Sequence, residues 1–193
     1  MSSTYKLTLT AKSLDDADPK AKAILENTKA KMGMIPNMYR TMANSPAMLE
    51  TYTQGYSNFR ENSGFTPAEQ EIVFLAISRE NECHYCMAAH SFVADNISMV
   101  PFEVTEAIRN DEPIADSKLS ALRAFTQTMV VSRGRPGGDD VDKFTLAGYS
   151  ESHILDIILA ISVKTISNYS NHVFDTPVDV AFAVRAWDIQ AAA

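Results

Sequence analysis

The 193-residue chain is poor in cysteine and in positive charge. It has two cysteines, and its 17 Lys and Arg against 24 Asp and Glu give a formal net charge of −7. Nucleic acids and anionic membranes bind basic faces, so this balance argues against either as a partner. No uninterrupted apolar run reaches the roughly 20 residues of a membrane span, and the first residues lack the apolar segment of a secretory signal. We therefore expect a cytoplasmic protein.

Both cysteines stand in one short motif, in which Cys83 and Cys86 are followed by His90. In a reducing compartment, cysteines at this spacing are more often catalytic or metal-binding than structural. On a helix the three side chains would lie on neighbouring parts of one face. A thiol beside an imidazole, with a second thiol within disulfide reach, is the minimum equipment for thiol redox chemistry.

Hydrophobic residues make up 46% of the chain. They recur at helical spacing, and no segment shows the alternation of a half-buried strand. We therefore predict an all-α fold, a bundle of roughly nine helices. Residues 1–12 are predicted to form an N-terminal arm, and residues 13–193 a single all-helical domain with the cysteine pair in a core of about residues 46–130. The local signals are a helix-start cluster at 13–19 with Gly33 as the stop, a short helix at 38–43, Ser45 before Pro46, the Thr66–Glu69 capping box, Asn81 as a break, Asp116, Asp139 and Ser150 as caps, and a last helix over 178–187.

The residues around the motif can be given roles in thiol chemistry. A thiolate is the nucleophile toward peroxides and disulfides, and an ordinary cysteine is mostly protonated at neutral pH. His90, one helical turn after Cys86, is predicted to be its base. Glu71, in the preceding helix, is predicted to orient the imidazole and to raise the pKa of His90. Cys83 would then resolve the intermediate on Cys86 as an intramolecular disulfide.

A zinc site would use the same residues. Closed structural zinc sites usually draw on two ligand pairs, and this chain offers no second pair, which disfavours zinc. A third interpretation has two buried cysteines and a core histidine without any chemistry. The ligands of the zinc interpretation are Cys83, Cys86 and His90, with a fourth from Glu71, His84, His153 or His172.

Further polar residues near the motif are weaker candidates. Tyr85 and His84 lie between the cysteines and are possible accessory groups, although an aromatic residue such as Tyr85 is as often there for packing. A polar patch follows the most apolar helix, and its pattern favours a helix C-terminus and turn over a second site. The residues of this patch are Asn168, Asn171, His172 and Asp175.

With Glu71, Cys83, Cys86 and His90 in register, the chain resembles the AhpD-like, carboxymuconolactone decarboxylase superfamily. The likeness is strongest over about residues 30–100, and the segment from Met32 to Pro46 is similar to the lead-in of its peroxidase-related branch. The resemblance implies an all-helical AhpD-like fold, homo-oligomers that are commonly trimers or hexamers, and alkylhydroperoxidase activity through a Glu–His–Cys proton relay.

The resemblance also implies the site residues. Cys86 is the reactive thiol, Cys83 its partner, His90 the base and Glu71 the relay carboxylate. The best-studied members have a histidine directly before the second cysteine, whereas this chain has Tyr85 there.

We therefore predict an oligomeric thiol peroxidase or disulfide reductase that uses no metal ion and no other cofactor. Its partners would be a hydroperoxide substrate and a thiol or disulfide electron donor. One alternative is a lactone decarboxylase or related proton-transfer enzyme that uses His90 and Glu71. The other is a metal-binding or partner-binding helical module.

Overall fold

The computed structural model describes residues 5–188, and within that range the chain forms helices and loops but no strand. The all-α prediction is confirmed. The helices of this range are α1 (Pro19–Met32), α2 (Asn37–Met42), α3 (Pro46–Asn62), α4 (Pro67–Glu80), α5 (His84–Asn96), α6 (Phe102–Asn110), α7 (Ser117–Val131), α8 (Gly138–Leu146), α9 (Glu151–Phe174) and a final 3-10 helix (Val180–Arg185).

Most helix ends lie where local signals predict them. The Thr66 side chain accepts a hydrogen bond from the Glu69 backbone, and the Glu69 carboxylate accepts one from the Thr66 backbone, which is the capping box of α4. Asp116 caps α7 through the Leu119 amide. Gly33 ends α1 in the left-handed conformation at φ 74°, where a side chain would be strained.

One local prediction is wrong. Asp139 lies inside α8, and the capping position belongs to Gly137, whose amide is bound by Asp140 Oδ2 at 2.9 Å. The last helix, predicted over 178–187, is present as a shorter 3-10 helix, Val180–Arg185. Its Val180 and Val184 side chains are exposed, so this segment has no continuous apolar face that would pack an α-helix against the core.

Helix α4 lies at the centre of the fold and packs against α5, α6, α7 and α9. Every residue from Glu69 to Ser78 is buried, so this helix has no solvent face over that length. The described residues form two apolar clusters. The larger one joins α4 to α7 and α9, and the smaller one surrounds the cysteine motif with side chains of α1, α2 and α3.

The described part of the predicted arm, residues 5–12, is non-helical and runs along the ends of α9 and α2. The Leu7 amide donates to the Val173 carbonyl at 2.7 Å, and the Lys12 amide donates to the Arg40 carbonyl at 2.9 Å. Residues 1–4 of the arm and residues 189–193 lie outside the described range.

Within residues 5–188, no single helix has both the length and the apolar character that a membrane crossing requires. A bent pair, α8 with α9, reaches those values only jointly, across a bend of 108°.

Candidate active site

Two consecutive helices, α4 and α5, carry the residues that the sequence singles out. Glu71 lies in the second turn of α4, whereas Cys86 and His90 lie on α5 and Cys83 is its N-cap residue. The connection between the helices is short because Glu82 adopts the left-handed conformation, with φ 53°. Helix α5 packs back on α4, and this brings Glu71 and His90 into contact.

The Glu71 carboxylate is fully buried and has a partner on each oxygen. Oε2 lies 2.8 Å from His90 Nδ1, and Oε1 is bound by the guanidinium of Arg60 on α3. Burial alone would raise the pKa of Glu71, but the charge and hydrogen bonds of His90 and Arg60 lower it below its usual value. An ionised carboxylate only accepts hydrogen bonds, so His90 Nδ1 carries the hydrogen and Nε2 is the free acceptor of the neutral ring.

The pKa of His90 is shifted in the opposite direction from the one the sequence predicts. Burial lowers it, and the positive charge of Lys164 lowers it further. Glu71 does raise it, as expected, but does not compensate for both effects. The imidazole is therefore predominantly neutral at neutral pH, with Nε2 available to take a proton.

The two cysteines are free thiols, buried side by side, and their immediate polar contacts come from α9. Asn171 Nδ2 donates to Cys86 Sγ at 3.3 Å and lies 3.9 Å from Cys83 Sγ. Ser167 Oγ lies 3.8 Å from Cys86 Sγ. Within the described residues no hydrogen bond joins His90 to either sulfur.

The pKa values of the two thiols are shifted in opposite directions. For Cys86, burial raises the pKa, but the hydrogen bond from Cys83 and the charge of Lys164, with a smaller electrostatic contribution from His90, outweigh burial and hold the pKa well below its usual value. For Cys83, the hydrogen bond to Cys86 and burial both raise the pKa. The site thus favours a thiolate on Cys86 beside a protonated Cys83.

Sequence reasoning missed Lys164 and Arg60 and misassigned Asn171. Lys164 is a lone basic residue inside the most apolar helix, and its side chain is fully buried. A single lysine in so apolar a helix can be recognised in the sequence as a candidate functional residue. Asn171 belongs to the patch interpreted as a helix end, yet its amide is the donor nearest to Cys86.

The accessory candidates Tyr85 and His84 bond to the C-terminal segment. The Tyr85 hydroxyl donates to Asp179 Oδ2 at 2.5 Å. His84 Nδ1 lies 2.8 Å from the Trp187 carbonyl oxygen, and the two rings are in contact. In the described range neither side chain has a hydrogen bond to a sulfur, so both hold the end of the chain against α5.

A surface cleft of about 440 Å³ reaches the cysteine pair from the Cys83 side. Asn171 and His172 of α9 line it together with His84 and Tyr85. Cys83 forms part of its wall, whereas Cys86 lies behind it. A small molecule entering the cleft would meet Cys83 first.

The other residues of the zinc interpretation lie apart or are engaged elsewhere. His153 binds Ser150 and packs against Phe65 and Tyr149, at the far end of α9 from the cysteines. Among residues 5–188, no group of three or more His, Cys, Asp or Glu side chains is arranged to hold a metal ion.

Comparison with known proteins identifies the fold. Residues 46–127 match the Carboxymuconolactone decarboxylase family. No curated protein sequence gives a significant match.

Solved structures with the same fold include two peroxidase-related proteins. One, from Ralstonia eutropha JMP134, is described as an alkylhydroperoxidase AhpD core and is 18% identical, with TM-score 0.80, covering 93% of this chain and 97% of its own. The other, from Silicibacter sp. TM1040, is 21% identical, with TM-score 0.75 and coverages of 93% and 96%.

A third similar structure is a cysteine-to-alanine variant of the debrominase Bmp8 in complex with 2,3,4-tribromopyrrole. It is 15% identical, with TM-score 0.75, and the match covers 97% of this chain and 98% of that one. The match over residues 46–127 and the shared helical fold support the resemblance of this chain to the AhpD-like, carboxymuconolactone decarboxylase superfamily.

Proposed function

We propose that this chain is a thiol-dependent peroxidase or disulfide reductase in which Cys86 is the nucleophile and Cys83 the resolving thiol. The observation that carries the proposal is the asymmetry of the pair. The pKa of Cys86 is held well below the ordinary thiol value and that of Cys83 above it. A thiolate beside a protonated thiol is the starting state for two-step reduction of a peroxide.

In the first step the Cys86 thiolate attacks the terminal oxygen of a hydroperoxide. The S–O bond forms as the O–O bond breaks, and the alkoxide leaves. The alkoxide takes up a proton that His90 relays from solvent through Nε2, and Glu71 holds the ring in the required tautomer. The products of this step are an alcohol and a sulfenic acid on Cys86.

In the second step Cys83 attacks the Cys86 sulfur. The S–S bond forms, the S–O bond breaks, and hydroxide leaves as water with the proton of Cys83. The sum is one hydroperoxide and two thiols converted to an alcohol, water and a disulfide. An external dithiol that enters the cleft beside Cys83 would return two electrons and two protons.

Mass spectrometry after treatment with one equivalent of hydroperoxide tests this proposal. The wild-type chain should lose two hydrogens and form a Cys83–Cys86 disulfide that dithiothreitol opens. Cys83→Ser should stop at a sulfenic acid on Cys86 that a dimedone reagent traps, and Cys86→Ser should leave Cys83 reduced. A stable sulfinic acid on one cysteine, with the other still free, would contradict the resolving role.

The alternative functions are separated by removing the thiols or by metal analysis. A lactone or other proton-transfer enzyme that uses His90 and Glu71 would keep its activity in the Cys83→Ala, Cys86→Ala double variant. A metal-binding module would be purified with one tightly held zinc per chain.

A second electrophile is suggested by the fold shared with the debrominase Bmp8, which was solved with 2,3,4-tribromopyrrole. The same dithiol could reduce a carbon–bromine bond, giving C–H, bromide, a proton and the disulfide. Bromide release from 2,3,4-tribromopyrrole, measured beside hydroperoxide consumption at equal enzyme concentration, distinguishes the two substrates.

A further inference from the structure

Lys164 is a buried cation without a hydrogen-bonded oxygen or nitrogen. It lies in the middle of α9 with no exposed surface, and among the described residues Nζ has no oxygen or nitrogen partner. Its nearest aromatic contact is Phe74, whose ring centroid lies 5.4 Å from Nζ. Removal of an ammonium group from water is costly unless a nearby negative charge compensates. The surroundings of Lys164 should therefore contain an anion.

The face of α9 that carries Lys164 is the face that contacts the cysteines. Ser167 and Asn171 follow Lys164 by one and two turns on this face, and both approach Cys86 Sγ, at 3.8 and 3.3 Å. The other side of the site is bounded by Phe74, against which His90 packs with ring centroids 4.8 Å apart. Lys164 thus lies beside the region between Cys86 and His90.

No carboxylate in the described core is left to neutralise Lys164. The buried carboxylates of residues 5–188 are Glu69, Glu71 and Asp179. Glu71 is bound by Arg60 and His90, Glu69 by Lys118, Tyr149 and Thr66, and Asp179 by Tyr85 and the Asn37 amide.

The remaining acidic group at the site is the Cys86 thiol. Within residues 5–188, the titratable groups that interact electrostatically with Cys86 include Cys83, His90 and Tyr85 on α5, Tyr52 and Tyr56 on α3, and Lys164 and His172 on α9. Lys164 is the one lysine or arginine in this set.

We propose that the Lys164 ammonium is the counter-ion of the Cys86 thiolate and keeps this sulfur ionised in the resting protein. The buried site then contains two neutral pairs, Arg60 with Glu71 and Lys164 with Cys86, around an uncharged His90. This separates two tasks that the Glu–His–Cys relay combines. Lys164 stabilises the nucleophile, and His90 is left free to move protons.

The inference deepens the proposed function, because it explains how Cys86 becomes the nucleophile.

A thiol titration without substrate tests the ion pair. In a Cys83→Ser background, which leaves Cys86 as the single thiol, thiolate absorbance at 240 nm is followed as the pH is varied. Lys164→Met should raise the pKa of Cys86 by about 1–3 pH units, the effect of removing an opposite charge at close range. Lys164→Arg should retain most of the low pKa, and Lys143→Met, an exposed lysine on α8, should not change it.

A thermodynamic cycle gives a second measurement that needs no thiol titration. Cys86→Ser removes the anion and should lower the thermal midpoint when Lys164 is present. In a Lys164→Met chain, the ammonium at position 164 is absent, so the same substitution should lower the thermal midpoint much less. Circular dichroism of each variant checks that it is folded.

The outcomes separate this inference from the proposed function. An unchanged pKa of Cys86 in Lys164→Met, or a rise seen in His90→Ala but not in Lys164→Met, overturns the ion pair even if peroxide is reduced. If Lys164→Met raises the pKa of Cys86 but the wild-type chain reduces no hydroperoxide, the ion pair is supported and the proposed peroxidase function is contradicted.

Discussion

Glu71 Oε2 accepts a hydrogen bond from His90 Nδ1 at 2.8 Å, in a position with no access to solvent. This contact determines which nitrogen of the imidazole carries hydrogen and leaves Nε2 as the acceptor of the neutral ring. Arg60 binds the other carboxylate oxygen. His90 and Arg60 both depend on the Glu71 carboxylate for a buried hydrogen bond. Substitutions at Glu71 should therefore affect stability as well as chemistry.

Glu71→Gln is expected to lower the free energy of unfolding by about 3–5 kcal/mol, because it leaves the largely buried guanidinium of Arg60 without its anion. Urea denaturation at neutral pH measures this. The control is Glu61→Gln, an exposed carboxylate on α3 that binds Ser57, which should change stability by less than about 0.5 kcal/mol. Equal stability of the two variants would show that the Arg60 pair contributes little.

The reactivity of Cys86 should depend on hydrogen-bond donation from residue 83. The low pKa of Cys86 means that its thiolate is already formed near neutral pH, so in Cys83→Ser the alkylation rate should change little between pH 7 and pH 9. Cys83→Ala lacks a donor, and its Cys86 pKa should be higher. Its alkylation rate should therefore still increase through that range. Identical iodoacetamide profiles for the two variants would contradict the role of the donor.

Acid should destabilise the chain partly through Glu69. Burial would raise the pKa of Glu69, but hydrogen bonds from Lys118, Thr66 and Tyr149 lower it from 4.5 to about 2. The folded pKa lies below the unfolded one, so this contribution is present above about pH 4.5 and is lost as the pH falls toward 2.

Glu69→Gln cannot titrate and should show a smaller loss of stability across that pH window. At pH 7 it should be less stable than wild type by about 1 kcal/mol, since Glu69 closes the capping box of α4. Denaturation curves at pH 7, 4.5 and 3 measure both effects. Glu26→Gln, an exposed carboxylate on α1, is the control and should follow the wild type.

Tyr85→Phe should loosen the C-terminal segment. The substitution removes the hydroxyl that donates to Asp179 and leaves a buried carboxylate with the Asn37 amide as its remaining donor, at a cost of about 1–3 kcal/mol. Trp187 is the one tryptophan in the sequence, so its fluorescence reports on this segment. A red-shifted emission is expected in Tyr85→Phe and not in Tyr169→Phe, whose side chain is exposed on α9.

The chain should self-associate through apolar helix faces. Leu155 and Ile158 are exposed one turn apart on α9, and Leu146 is exposed at the end of α8. Light scattering at micromolar concentration should give a multiple of 21.3 kDa, and the Leu155→Glu, Ile158→Glu double variant should give a smaller mass. A wild-type mass of one chain would rule out the predicted homo-oligomer.

Several helix ends and the order of the site residues can be predicted from the sequence. The capping box of Thr66 and Glu69, the Asp116 cap and the Gly33 stop depend on atoms within about four positions of one another, so their outcome is contained in the local sequence. The spacing of Cys86 and His90 is equally local, because one helical turn places both on the same face.

The groups that surround the thiols are set by the packing of distant helices. Asn171 meets Cys86 across 85 positions of the chain, and Lys164 and Arg60 reach the site from two other helices. The same packing excludes water from His90, which is why its pKa is lowered although Glu71 is its neighbour. Burial and long-range charge depend on how helices assemble, and no window of the sequence contains them.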